Sequence, residues 1–331
     1  MDLAEKTVLI TGANGFIGSH LVERLANQKG ARVRGLVRQS FPVPHLTHVE
    51  YCTGDVTDPA AVQRAAQGCD VIIHTAALQP FRPLPSRARF DAVNVGGTRN
   101  LLDAFSPGGP GRFLLLSTIN VHGLPPPAGA NAESPLIYSG DRYSDTKADG
   151  ERAAWTLAHD RDIPLTVIRP ACTFGPGSTA WTLQPIERLR RGRPVLIGDG
   201  RGLCNPVYID NLVDLVIAAL ENDTAVGQAF IGSDGVGIEW REFFQYYARM
   251  VKRPVRSIPS PVARLAGVGS ALIEKITGQP GPLARPSVAF YTHHVRFDTS
   301  KNMRLLGYTP RVSFQEGMRR TEEWLREKQI I

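Results

Sequence analysis

The sequence predicts an α/β fold with a doubly wound parallel sheet and a smaller C-terminal lobe, on three observations. Short apolar runs alternate with helical patterns through the first half, the first run ends in a glycine-spaced turn, and near Gly175 the texture becomes turn-rich. Alternation of this kind specifies parallel strands joined by crossover helices. At 331 residues, 42% hydrophobic and 21% charged, the chain has the apolar content for a full core and too little charge for a disordered one.

The expected strands are Thr7 to Ile10, Val33 to Val37, Val71 to His74, Phe113 to Ser117 and Leu165 to Arg169. Between them, Ile17 to Ala26 and Phe90 to Phe105 place an apolar residue every three or four positions, as on one face of a helix. Beyond Gly175 the pattern predicts a helix over Trp181 to Arg191, a strand and helix in VYIDNLVDLVIAALE, and a strand in QAFIGSDG. The expected division is a larger domain over 1–175, with 206–234 returning to it, and a lobe made of 176–205 and 235–331. The apolar stretch Val262 to Ile276 is interrupted by Arg264, Gly267, Gly269 and Glu274. It is too short and too broken to span a bilayer; covering a ligand cavity or packing on the lobe is expected, with an amphipathic membrane contact as the alternative.

Lys plus Arg number 38 against 31 Asp plus Glu, a net charge of +7 spread along the chain. The densest group, Arg188, Arg190, Arg191 and Arg193, lacks interleaved aromatics, so it reads as a solvated helix end and no nucleic-acid partner is expected. Cys52, Cys69, Cys172 and Cys204 form no C-x-x-C and have no neighbouring His, so reduced thiols and no metal site are expected. The opening MDLAEKTVLITG has no apolar signal core, which makes the cytoplasm the expected compartment.

The strand TVLI leads into Thr11-Gly12-Ala13-Asn14-Gly15-Phe16-Ile17-Gly18 and then a helix. Without β-carbons such a turn lets backbone approach a pyrophosphate, which rests on the unpaired N–H groups and positive dipole end of the helix. The spacing G-x-x-G-x-x-G is one residue longer than the common dinucleotide fingerprint. The second strand ends Val37-Arg38-Gln39 with no carboxylate to hold a ribose 2′-hydroxyl. Arg38 suits a 2′-phosphate instead, so NADP(H) is the expected cofactor and NAD(H) the alternative.

Tyr143 and Lys147 stand four apart in a helical run, on one face. A phenol near a positive charge can exchange a proton with an alcohol or carbonyl oxygen. The strand FLLL ends in Ser117-Thr118, which places hydroxyls at the sheet edge where ligands bind.

TGANGFIG, GDVTD at Gly54 to Asp58, HTAA at His74 to Ala77, NVGGTRNLL from Asn94, Ser117-Thr118, YSDTK and IRP at Ile168 to Pro170 together resemble the extended short-chain dehydrogenase/reductases, nearly end to end. The resemblance implies a Rossmann domain with a small-molecule substrate and a homodimer. It implies catalytic roles for Thr118, Tyr143 and Lys147, with Lys147 lowering the phenol's pKa. Cofactor contacts are implied at Gly12, Asn14, Gly15, Phe16, Ile17, Gly18, Arg38, Asp55, Val56, Ala76, Ala77, Asn94, Lys147 and Pro170. Ser117 competes with Thr118 for the hydroxyl role, and Ser117, Asn120 and His122 are substrate candidates. Where 4,6-dehydratases of the family carry an Asp-Glu pair, this chain has Ile119-Asn120, which cannot exchange protons. Cys204-Asn205 replaces the Arg-Asp pair common in nucleotide-sugar epimerases, although Arg188 to Arg193 or Arg201 could substitute for that arginine. The tail resembles the 3β-hydroxysteroid dehydrogenase-like and dihydroflavonol reductase-like branches. The resemblance thus implies a ketone reductase or secondary alcohol dehydrogenase acting on an apolar or polycyclic substrate. A nucleotide-sugar epimerase and a non-catalytic NADP(H) sensor are the alternatives.

Overall fold

A computed structural model describes residues 1–39, 48–80, 84–105, 111–277 and 285–331. Strand β1 (Thr7–Thr11) feeds helix α1 (Phe16–Gln28), and β2 (Arg32–Val37) returns parallel beside it. Then come β3 (Val49–Thr53), α2 (Pro59–Ala66), β4 (Val71–His74) and β5 (Arg112–Leu116). The long α3 (Arg142–Asp160) leads to β6 (Leu165–Pro170), and α4 (Ile209–Glu221) to β7 (Gln228–Gly232). All seven strands form one parallel sheet, ordered β7-β6-β5-β4-β1-β2-β3. The order reverses between β1 and β4. Chain leaving their carboxyl ends therefore departs to opposite faces and opens a crevice.

Alternation along β1 shows how the core is divided. Val8 and Ile10 enter one apolar cluster with Leu21, Leu25 and Phe230, while Leu9 enters the other with Ile72, Phe113 and Leu115. A sheet covered on both faces favours apolar residues along its central strands, as in β4 and β5; β6 is buried throughout but also carries Thr166 and Arg169. β3 was not among the expected strands. It is the edge strand, partly exposed along its length, so VEYCT carries no apolar run.

Helix α3 positions the site. Asp141 caps it by accepting from the Ser144 N–H at 2.8 Å, which satisfies one of the first-turn donors. Midway, Gly150 lies so close to the helical turn at Asn94 that a Cβ would stand 2.4 Å from the Asn94 carbonyl oxygen.

The remaining chain adds α5 (Trp240–Met250), α6 (Ser260–Thr277), α7 (Arg285–Thr292) and α8 (Phe314–Glu327). The Val262 to Ile276 stretch lies within α6. Trp240 is the hub of this part, with ring centroids 5.3 Å from Trp181, 5.4 Å from Phe290 and 4.8 Å from Tyr291. Asn205 ties it together, donating to the Val295 carbonyl at 3.0 Å and accepting from the Phe297 N–H at 3.1 Å.

Gly150→Ala should lower stability by about 1–3 kcal/mol, because the obstacle is backbone and α3 must back away. Gly269→Ala, in α6 with open space around it, should be neutral or gain up to about 1 kcal/mol from helix propensity. Urea midpoints of the two variants provide the check.

Candidate active site

A cleft of about 680 Å³ runs along the carboxyl edge of the sheet, within the range of small-molecule sites. Its wall follows the strand order. After β3 come Asp55 and Val56, after β2 Arg38, and after β1 Gly12, Asn14, Gly15, Phe16, Ile17 and Gly18. Next are Ala76 and Ala77 after β4, Ser117, Thr118 and Asn120 after β5, and Pro170 at the end of β6. Tyr143 and Lys147 enter from α3, while Trp181, Ser287, Phe290 and Tyr291 close the far end.

The glycine turn is a cradle. Gly12 has φ +66°, and a Cβ on it would lie 3.0 Å from Ala76 Cα. A Cβ on Gly18 would stand 2.2 Å from the Gly12 carbonyl oxygen. Helix α1 begins without a side-chain cap, so its first N–H groups open toward the cleft and suit an anion. These features, with Arg38 exposed at the rim and the Ala76-Ala77 wall opposite, fit a nicotinamide dinucleotide.

Two of the sequence candidates lie off the wall. Asn94 is buried, accepting from the Leu78 N–H at 2.9 Å and donating to Thr146 Oγ1 at 3.1 Å. It braces the cleft from behind. His122 is fully buried: Nδ1 is 3.1 Å from the Pro135 carbonyl oxygen and Nε2 is 3.2 Å from Arg169 Nη1. Because a guanidinium only donates, Nε2 accepts and Nδ1 carries the proton. Burial and the Arg169 charge hold its pKa down to about 4.

Lys147 is buried, and its ammonium donates to the Leu116 carbonyl at 2.7 Å. Burial lowers its pKa to about 8, against the opposing field of Glu151. One turn further along α3, Glu151 is fully buried and receives Arg169 Nε at 3.0 and 3.2 Å. Burial pushes that carboxyl up, but Arg169 outweighs it and keeps Glu151 below its ordinary value.

The Tyr143 phenol differs from expectation. Burial raises its pKa to about 12; hydrogen bonds with Gln79 and Thr118 pull it down, and the Asp141 charge pushes it up. Lys147, whose ammonium is held on the Leu116 carbonyl, is not among these causes. Of the two neighbouring hydroxyls, the one in contact with the phenol belongs to Thr118. Gln79, on the cleft wall, had no sequence signal.

Behind the glycine turn, His74 is buried between two hydroxyls. Nδ1 is 2.7 Å from Thr11 Oγ1 and Nε2 is 3.2 Å from Thr98 Oγ1. Thr98 spends its proton on the Asn94 carbonyl at 2.8 Å, and Thr11 Oγ1 accepts from the Ala76 N–H at 3.2 Å. Burial and the Lys147 charge lower the His74 pKa to about 3. Among the described residues no group of three or more His, Cys, Asp or Glu could hold a metal ion, and no helix is long and apolar enough to cross a membrane.

Comparison with known proteins agrees with this geometry. The model of the NAD dependent epimerase/dehydratase family matches residues 8–231. The chain belongs to that family. This epimerase/dehydratase family member, an enzyme, is 32% identical to a 3 beta-hydroxysteroid dehydrogenase/Delta 5-->4-isomerase of Mycobacterium tuberculosis, over 94% of this chain and 88% of the relative. It is 25% identical to a UDP-glucose 4-epimerase of Vibrio cholerae, over 96% and 95% of the two chains. The fold matches an epimerase structure from Methanothermobacter thermautotrophicus with TM-score 0.82 at 23% identity, covering 99% of this chain and 94% of that one.

His122 is neutral in the folded protein down to about pH 4, whereas in the unfolded chain it takes a proton near pH 6.5. Stability contributed by this group is therefore complete above pH 6.5 and is lost as pH falls toward 4, by roughly 3 kcal/mol in all. Asp234, whose carboxyl burial raises to about 7, works in the opposite sense. The check is the difference between wild type and His122→Asn in urea titrations at several pH values. The variant should lose less stability than wild type on acidification.

Proposed function

We propose that the protein is an NADPH-preferring carbonyl reductase for an uncharged, apolar or polycyclic ketone. The observation that carries this reading is the composition of the substrate end of the cleft. Leu124, Trp181, Phe290 and Tyr291 line it beside the uncharged Thr179, Gln184 and Ser287, and among the described residues the only Arg and Lys in the whole cleft wall are Arg38 and Lys147. A nucleotide-sugar diphosphate would lack a cationic partner. None of the arginines named above lines the cleft; Arg188 donates to the Pro194 carbonyl at 3.0 Å, Arg190 donates to the Ile330 carbonyl, Arg191 pairs with Glu187 at 2.6 Å, and Arg201 lies 3.7 Å from Asp199. The sequence kinship with a steroid dehydrogenase supports the same substrate class.

A bound nicotinamide dinucleotide supplies the hydride. The chain's residues do the rest. The turn from Gly12 to Gly18 would hold the pyrophosphate, and Arg38 at the cleft rim would pair with the 2′-phosphate. Asp55 and Val56 would border the dinucleotide's adenosine, and Ala76, Ala77 and Pro170 would line the place of its nicotinamide ring. Thr118 and Tyr143 converge on the carbonyl oxygen and orient it. With its pKa near 12, the phenol is protonated at neutral pH yet remains a stronger acid than an aliphatic alcohol. It therefore gives its proton to the oxygen as negative charge develops there, which suits the reductive direction. Lys147, held by Leu116, fixes the turn of α3 behind the phenol, and its cation would face the ribose of the dinucleotide. Asn120 lines the β5 end of the cleft, whereas the Ser117 hydroxyl is buried toward Glu151 and does not serve as the substrate contact the sequence suggested.

Tyr143→Phe should cut turnover by about 10²- to 10⁴-fold while NADPH binding, measured by calorimetry, stays nearly unchanged; wild-type turnover would remove Tyr143 from the reaction. Arg38→Asp should reverse the preference in kcat/KM from NADPH to NADH. Apolar cyclic ketones should consume NADPH stoichiometrically. Interconversion of sugar nucleotides without net NADPH consumption would instead identify an epimerase.

A further inference from the structure

We propose that helix α6 and the basic pocket beside it form a docking surface for an anionic lipid bilayer. In α6, Ala263, Gly267 and Ser270 are buried at helical spacing, and Ala263 packs against Ile197 and Val288. The opposite face carries Val262, Leu265 and Val268, which are 55%, 74% and 48% exposed. Leu265 is the most exposed large apolar side chain among the described residues. Isolated apolar residues on a surface need no explanation, but three along one stripe of one helix leave a face without a partner among the described residues.

Charge identifies the occupant. An open pocket of about 650 Å³ is lined by Arg241, Arg249, Lys252 and Arg253, and among the described residues no carboxylate stands in its wall. It adjoins α6 through a shared strand pair. Ser257 lines the pocket and belongs to the short strand Ser257–Ile258 that leads into α6; that strand pairs with Leu196–Ile197, whose Leu196 lines the pocket and whose Ile197 supports Ala263. Exposed Arg256 and Arg264 extend the positive rim. A second copy of the chain, docked two-fold, would bring these cations against one another. A bilayer bearing anionic headgroups accommodates both halves of the surface, with the apolar stripe in the acyl boundary and the cations against the headgroups. Helix α7, packed on α6 through Val288, supplies Ser287, Phe290 and Tyr291 to the cleft, so a docked molecule holds the substrate end one helix layer from the lipid. The docking does not depend on the reductase reading, since vesicle binding needs no turnover.

The test is co-sedimentation of the full chain with phosphatidylcholine vesicles, with and without phosphatidylglycerol. Binding is expected only with phosphatidylglycerol, weakening as salt is raised. Leu265→Glu combined with Val268→Glu should lower the partition at least about tenfold. Lys252→Glu combined with Arg253→Glu should lower it about fivefold for each charge lost. Both pairs are on the surface, and unchanged thermal unfolding verifies that the variants fold. Failure to bind phosphatidylglycerol vesicles, or binding insensitive to both pairs, would overturn the proposal. So would a drop in the protein's own sedimenting mass in the Leu265→Glu, Val268→Glu variant with vesicle binding intact, which would assign the face to a second copy.

Discussion

The geometry of the cleft is referred to one buried contact, the Lys147 ammonium on the Leu116 carbonyl. Removing an ammonium from water is costly, and a single neutral acceptor does not offset it. The compensation is distributed. Glu151, a turn away, supplies the opposing charge; Arg169 keeps Glu151 ionised, and its remaining donors go to His122 and the Ala132 carbonyl. Helix α3, strand β6 and the chain after β5 are thereby fastened by groups none of which can be removed without exposing a neighbour's charge. That fixes the rotation of α3, and with it the direction in which Tyr143 points.

Much of this was legible in the sequence because strand-helix alternation and the glycine turn are local. The runs at Thr7, Val33, Val71, Phe113 and Leu165 are strands because a sheet buried on both faces favours apolar residues along its central strands. β3 escaped notice because an edge strand is released from that pressure. His122 was read as a substrate candidate from its place after the β5 strand, but its surroundings are set by Arg169, 47 residues away. Gln79 was invisible for the same reason, since nothing near it in the chain shows that it meets Tyr143. Helical spacing gives the face that Tyr143 and Lys147 share and says nothing of how deeply the phenol is buried, which is what raises its pKa, nor that the lysine donates to the Leu116 carbonyl.

The aromatic cluster around Trp240 serves packing and the cleft at once. Trp181 and Phe290 stack at 5.8 Å, and each has one side on the buried rings and one on the cleft wall. A substrate seated there would meet surfaces whose rotamers are already fixed by the core, which reduces the ordering cost of binding.

The run of hydrogen bonds through His74 has a sense. Protons point one way from the Ala76 amide through Thr11, the imidazole and Thr98 to the Asn94 carbonyl, so the ring exists as a single tautomer. A replacement that only accepts would break the series at Thr98, and one that only donates would break it at Thr11 and loosen the Ala76 segment from the glycine turn it faces. In this way the spacing between the two banks of the crevice is governed by a side chain that never reaches it.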